Sequence, residues 1–241
     1  MSMRSPGGGV DAGADAAGVL LLHGLTSAAH SWVEVRRALA SLGVSSCAVD
    51  LPGHGHGHRS GYDVGSMAAG LPAQERPWSV VAAHSLGGAV AVERLRRQRD
   101  WARRLVLLDP VLVLRHDQTA ALVADNARSL VMDHAEVAAA HPRWSPGTVT
   151  SKLVAAMQVD PPVISRVLRA WDRTADLAAN GVPTIVLGAD PGVEEPSFDQ
   201  THARRLERRQ RFVIADGAGH SIHRDDPQRV VDEITAMLRD R

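Results

Sequence analysis

Ala83-His84-Ser85-Leu86-Gly87-Gly88 joins the apolar run Ser79–Ala83 to an amphipathic stretch that reaches about Arg99. The run before it reads as a strand without in/out alternation, the stretch after it as a helix. A lone serine at such a junction, with small residues two before and two after it, stands close to the pattern Gly-x-Ser-x-Gly. In that pattern a strand turns sharply into a helix and one side chain is left at the apex. The apex backbone is strained, at about 1–3 kcal/mol. Small neighbours let strand and helix pass closely; here the first of them is Ala83 in place of Gly. The helix start behind Ser85 adds free N–H groups and the positive end of a dipole. A serine N-cap before an ordinary helix meets the same pattern, so the surroundings have to decide.

Working outward, five more runs read as strands: Gly18–Leu22, Ser45–Asp50, Leu105–Asp109, Thr184–Gly188 and Arg211–Ile214. All are near-continuous apolar runs, as expected of parallel strands covered on both faces. Helical stretches alternate with them. One spans about Ala28 to Leu42, with Trp32, Val35, Leu39 and Leu42 on one face, and one runs from about Asp226 to Arg239. The pattern predicts an α/β protein built on a doubly wound, mainly parallel sheet of about six strands. Residues 111–180 break the rhythm. They hold helical stretches and no convincing strand, and Pro142, Pro146, Pro161 and Pro162 punctuate them. An insertion of this size predicts a helical cap over the carboxyl edge of the sheet, where such sheets bind ligands. Residues 18–241 are therefore read as a single domain with a cap.

Composition narrows the function classes. At 241 residues the chain is long enough to bury a large core without disulfides or metal. Its single cysteine, Cys47, excludes an intramolecular disulfide, and its place in an apolar strand predicts a buried, inert thiol. Lys+Arg and Asp+Glu both number 27, a balance that argues against a general nucleic-acid binder. No apolar run approaches the roughly 18–20 residues of a membrane span. Met1–Ala17 lacks the apolar stretch of a secretory signal and reads as a flexible start, so the expected location is cytoplasmic. Lys152 is the only lysine, which is read as a compositional bias toward arginine.

Further stations share the strand ends. Leu22-His23-Gly24-Leu25 closes the first strand and Asp50-Leu51-Pro52-Gly53-His54-Gly55 the second. Asp216-Gly217-Ala218-Gly219-His220 follows the last strand. Together with the Ser85 junction, and in this order, they resemble the α/β-hydrolase superfamily, in particular its capped esterase, lipase and peroxidase-like members. The likeness runs from about Gly18 to Leu238. The antiparallel strands that usually open that fold have no room here.

The resemblance implies a nucleophile, a base and an acid in the order Ser, acid, His. Ser85 takes the nucleophile's place. A serine hydroxyl is weak at neutral pH and needs a base beside it; His220 is that candidate, with His223 as the fallback. Asp190 is the expected acid, although it stands two residues after Gly188 where three are usual. Asp109, at the end of the fourth strand, is its rival, and Glu194 and Glu195 are outsiders. The backbone N–H groups of Leu25 and Leu86 are the candidate oxyanion donors. His54, His56 and His58 alternate with glycines, and an extended chain would set all three on one face. The family loop has the same look without metal, so no metal or other cofactor is expected. Trp144, Trp171, Met132 and Met157 are expected to pack the cap, some of them lining a pocket. The function implied is cleavage of a carboxylic ester, lactone or thioester of a small molecule through an acyl-enzyme. Other chemistry of the fold (C–C hydrolase, amidase, cofactor-free peroxidase, acyltransferase) and a slow-turnover small-molecule receptor are the alternatives. The expected partner is a small molecule, with neither nucleic acid nor membrane.

Overall fold

The structure is a computed structural model that describes residues 17–72, 75–114, 116–171, 177 and 181–240. The expected flexible start therefore lies outside the described residues except at its last position, as do 115, 172–176 and 178–180 of the expected cap. Six strands form one sheet: β1 (Ala17–Leu22), β2 (Ser46–Val49), β3 (Trp78–His84), β4 (Leu105–Leu108), β5 (Thr184–Ala189) and β6 (Gln210–Ala215). They are all parallel, in the order β2-β1-β3-β4-β5-β6. Each lies within one residue of its expected bounds.

Residues of alternating direction feed two separate cores. Leu20, Leu22, Val81, Ala83, Leu105, Leu107 and Val186 face one, which takes in the inner face of α3 (Leu86–Arg97). Val19, Leu21, Val80, Ala82, Val106, Leu108, Ile185 and Leu187 face the other, under α1 (Val33–Ser41) and the final helix. Apolar burial on both faces is why the strands carry no polar alternation. The expected first helix begins as a 3-10 turn, Ala29–Trp32, before α1 takes over. β2 is an edge strand, and Cys47 on it is exposed. Its expected burial is thus corrected: an apolar run at a sheet edge has one side without a neighbouring strand.

Short helices fill the connections. α2 (Val64–Ala69) follows the loop after β2 and is capped by Asp63. Between β4 and β5 come α4 (Thr119–Ser129), α5 (His134–Ala140), α6 (Pro146–Met157) and α7 (Pro162–Arg169). Pro146 and Pro162 sit in first turns, where the missing N–H removes no intrahelical bond. After β5 come α8 (Gln200–Ala203), α9 (Ile222–Asp225) and α10 (Pro227–Arg239). Among the described residues no helix is long and apolar enough to cross a membrane.

Candidate active site

The chain steps from β1 outward to β2, then returns to β3 on the other side of β1. That reversal makes a crevice at the carboxyl ends of β1 and β3, the usual ligand site of such sheets. Ser85 stands in it, between β3 and α3, with φ 51° and ψ −118°. A positive φ is strained for a residue with a Cβ. Close packing maintains it. A Cβ on Gly87 would lie 2.7 Å from the carbonyl oxygens of both Leu22 and His23, and one on Gly24 would lie 3.0 Å from the Ser85 Cβ. The Ser85 N–H donates to the Leu108 carbonyl at 3.0 Å, which ties the apex to β4. Ala83 is fully buried in this arrangement.

Asp109 directly follows β4, and its side chain is completely buried. Its Oδ2 accepts from His220 Nδ1 at 2.6 Å and from the Ser197 N–H at 3.0 Å; its Oδ1 accepts from the Phe198 N–H at 3.0 Å. The expected acid, Asp190, is elsewhere engaged. Its oxygens accept from the Gly192 N–H at 2.8 Å and the Gly217 N–H at 2.7 Å. Those two bonds hold its carboxyl below the usual range and spend it on the turn after β6. The partner of His220 is therefore Asp109, not Asp190. Glu194 contributes from outside, accepting the His220 backbone N–H at 2.8 Å.

Burial works to lower the pKa of His220. The hydrogen bond and charge of Asp109, with Glu194 and Asp225 behind them, outweigh it and leave the imidazole above its ordinary value. His223, the fallback base, stacks on Trp32 at 4.4 Å and lies 4.8 Å from the ring of His84. Both its ring nitrogens are buried without a partner, and burial holds it well below the usual histidine pKa. His84 supports the site differently: its Nε2 donates to the His220 carbonyl at 2.9 Å.

Leu86 is the first residue of α3, so its N–H has no intrahelical acceptor. Leu86 and Leu25 line one cavity with Ser85 and His220. Under the Leu25 loop lies His23, fully buried, whose Nδ1 donates to the Gly24 carbonyl while Nε2 accepts the Leu51 N–H. Burial and the neighbouring His54 press its pKa down to about 3. His54 is used in the same manner. Nδ1 donates to the Pro52 carbonyl, Nε2 accepts the Thr26 N–H, and burial lowers its pKa to about 4. The loop is not extended, because Gly53 and Gly55 take φ of 80° and 49°. His54 consequently turns inward, while His56 and His58 are exposed.

The cavity has a volume of about 420 Å³, within the range of small-molecule sites. Trp144 and Trp171 line it. Met132 packs with Val137, Trp144 and Val149. Met157 does neither; at the end of α6 it is 86% exposed, so its expected packing role is corrected. The sequence reading did not anticipate two buried cations in the cavity wall. Lys152, on α6, and Arg224, on α9, are both buried in its wall. The trace of the first was its singularity, a lone lysine in an arginine-rich chain.

A parallel sheet with a strained serine after its third strand, and a carboxylate-bound histidine after its last, defines the α/β-hydrolase class. The chain belongs to the alpha/beta hydrolase family, whose model matches residues 19–233. Two proteins of Mycobacterium tuberculosis are similar to it. Lipase LipV is 31% identical over 151 residues, covering 61% of this chain and 54% of the lipase, so the match spans about half the length of that relative. Esterase Rv0045c is 26% identical over 263 aligned residues, covering 95% of this chain and 85% of the esterase. Among solved structures, an E-2-(acetamidomethylene)succinate hydrolase shares the fold with a TM-score of 0.73 at 17% identity, covering 91% of this chain and 90% of that one. An esterase from Exiguobacterium antarcticum does so with 0.72 at 14%, covering 94% and 93%.

Proposed function

We propose that the chain is a serine hydrolase that cleaves a carboxylic ester of a small molecule. The observation that carries this reading is the 2.6 Å bond between His220 Nδ1 and the buried Asp109 Oδ2, in the cavity that Ser85 also lines. Held through Nδ1, the imidazole has Nε2 left for the serine proton. Ser85 Oγ attacks the ester carbonyl as its proton passes to Nε2. The negative charge that develops on the carbonyl oxygen is met by the N–H groups of Leu86 and Leu25. As the carbon–oxygen bond breaks, the alcohol leaves with the proton from Nε2. Water then gives a proton to Nε2 and attacks the acyl-enzyme; as the carbon–oxygen bond to Ser85 breaks, Nε2 returns that proton to Oγ, releasing the acid and free Ser85. Asp109 orients the ring and stabilises the imidazolium in both halves. The esterase and lipase names of the relatives support an ester as the bond cleaved.

A fluorophosphonate probe tests the nucleophile. The expected adduct is on Ser85, with labelling and p-nitrophenyl ester turnover abolished in Ser85→Ala. Turnover near wild type in that variant, or an adduct elsewhere, refutes the mechanism. Tight binding of a small molecule without ester turnover would instead indicate a receptor.

A further inference from the structure

We propose that Lys152 and Arg224 form an anion subsite that receives a carboxylate of the substrate next to the oxyanion residues. That the ligand is a substrate rests on the hydrolase reading; the subsite itself rests on the cavity wall. Lys152 is 9% exposed, and its Nζ donates to the Thr26 carbonyl at 3.1 Å and the Thr26 Oγ1 at 3.2 Å, with Ser129 Oγ at 3.5 Å. Arg224 is 7% exposed. Its Nη2 donates to Ser27 Oγ at 3.1 Å, its guanidinium lies 5.0 Å over the Trp144 ring, and its Nε is buried without a partner. The two cations thus hang on consecutive residues, Thr26 and Ser27, immediately after Leu25.

Neither has an ion-pair partner among the described residues, and all the hydrogen bonds they make are to neutral oxygens. Asp225, next to Arg224, uses its Oδ1 on Trp144 Nε1 at 2.7 Å and its Oδ2 on the Gly219 N–H at 2.8 Å. The other acids along the cavity, Asp125, Glu194 and Glu195, are exposed, and solvent weakens their pull on the interior. Two buried cations that make no direct ion pair, with only the charge of neighbouring Asp225 acting on Arg224, destabilise an empty protein. Burial first, then the charge of Arg224, lowers the Lys152 pKa to about 7. An arriving carboxylate removes both penalties, favours the charged ammonium and gains charge-assisted hydrogen bonds. Because Thr26 follows Leu25 directly, that carboxylate sits only a few bonds from a carbonyl held at Ser85. A short ester with a free carboxylate, such as the half-ester of a small dicarboxylic acid, meets this requirement.

Calorimetry on Ser85→Ala, which cannot turn ligands over by this mechanism, tests the subsite. Monomethyl glutarate is compared with dimethyl glutarate for a carboxylate on the acyl side, and acetoxyacetate with its methyl ester for one on the alcohol side. The expected result is at least tenfold tighter binding of the carboxylate in one of the pairs. Equal affinities within both pairs overturn the proposal. Adding Lys152→Met should reduce the preference about tenfold or more while Tm holds or rises, because an uncompensated buried charge has gone. A preference that survives with a lowered Tm makes Lys152 a strut for the Thr26 loop and overturns its assignment. Fluorophosphonate labelling of the wild type separates the two readings. A labelled Ser85 without carboxylate preference removes the subsite alone; a carboxylate preference without labelling keeps the subsite and removes the hydrolase.

Discussion

At the residue scale, two aspartates compete for one role, and their hydrogen bonds set their predicted effects apart. Asp109→Asn keeps the shape but loses the charge that faces His220 Nδ1, and kcat should fall by about 10⁴. Asp190→Asn should leave kcat near wild type and lower Tm, because its carboxylate braces Gly192 and Gly217. Kinetics and melting of both variants, measured side by side, decide the assignment; a dead Asp190→Asn would reverse it. The pH profile is a second check. If neutral His220 is the base, kcat/KM should rise with an apparent pKa above the ordinary 6.5, since Asp109 outweighs burial there. In Asp109→Asn the residual activity should titrate at lower pH. A limb that stays in place would show that another group governs it.

At the scale of elements, the site depends on how closely α3 passes the end of β1. A Cβ added at Gly87 would lie 2.7 Å from two backbone carbonyl oxygens, which cannot yield as a flexible side chain would. Overpacking of this sort costs about 1–3 kcal/mol. For a chain of this length, Gly87→Ala should lower Tm by roughly 3–10 °C, and it should slow fluorophosphonate labelling as Ser85 is displaced. Gly147, in the first turn of α6, is the control. Outside its chain neighbours and its own helix backbone, the nearest atom to its added Cβ is Ser145 Oγ at 3.7 Å, so Gly147→Ala should leave Tm unchanged or slightly higher. Equal losses in the two variants would contradict the close-packing account. The loop after β2 follows the same logic: Asp50 accepts the Ala29 N–H at 2.7 Å and the His56 N–H at 3.0 Å, which binds the loop to the turn after β1.

At the scale of the whole molecule, buried neutral histidines predict acid sensitivity. His23, His54, His84 and His223 all have pKa values below the ordinary one, each with burial as the largest cause. As pH falls from about 6.5 toward 5, the unfolded chain takes up a proton at each, while burial keeps them neutral in the fold. Stability therefore falls as pH drops through that interval, by up to about 1.4 kcal/mol per pH unit for each histidine. His220 has the opposite sign. Its folded value is raised, so its contribution is full below about 6.5 and fades as pH climbs through the raised pKa. Four groups outweigh one, and domains hold only about 5–15 kcal/mol. The urea midpoint should accordingly drop steeply between pH 6.5 and about 5. A midpoint constant over that interval would mean that these histidines are protonated in the fold.

The six strands, their parallel sense and the Ser85 junction were legible in the sequence because each is a local property. A strand covered on both faces has to be apolar throughout, and a tight strand-to-helix turn has to be flanked by small residues. His220 was legible through its glycine-rich loop after the last strand. The aspartate that pairs with His220 was not, since Asp109 and Asp190 both satisfy chain order; what separates them is the sheet order, which puts the end of β4 directly beside Ser85, and the turn that occupies Asp190. Cys47 sits in an apolar run like any core residue, yet the edge position of β2 exposes it. The histidine–glycine alternation suggested one face, but two glycines of positive φ fold the loop and bring His54 inside alone. Lys152 and Arg224 lie far apart in the chain, and no local pattern marks either as buried. Only the packing of α6 and α9 around residues 25–27 brings two cations to one wall, because burial and charge pairing are properties of the assembled surface and not of any segment.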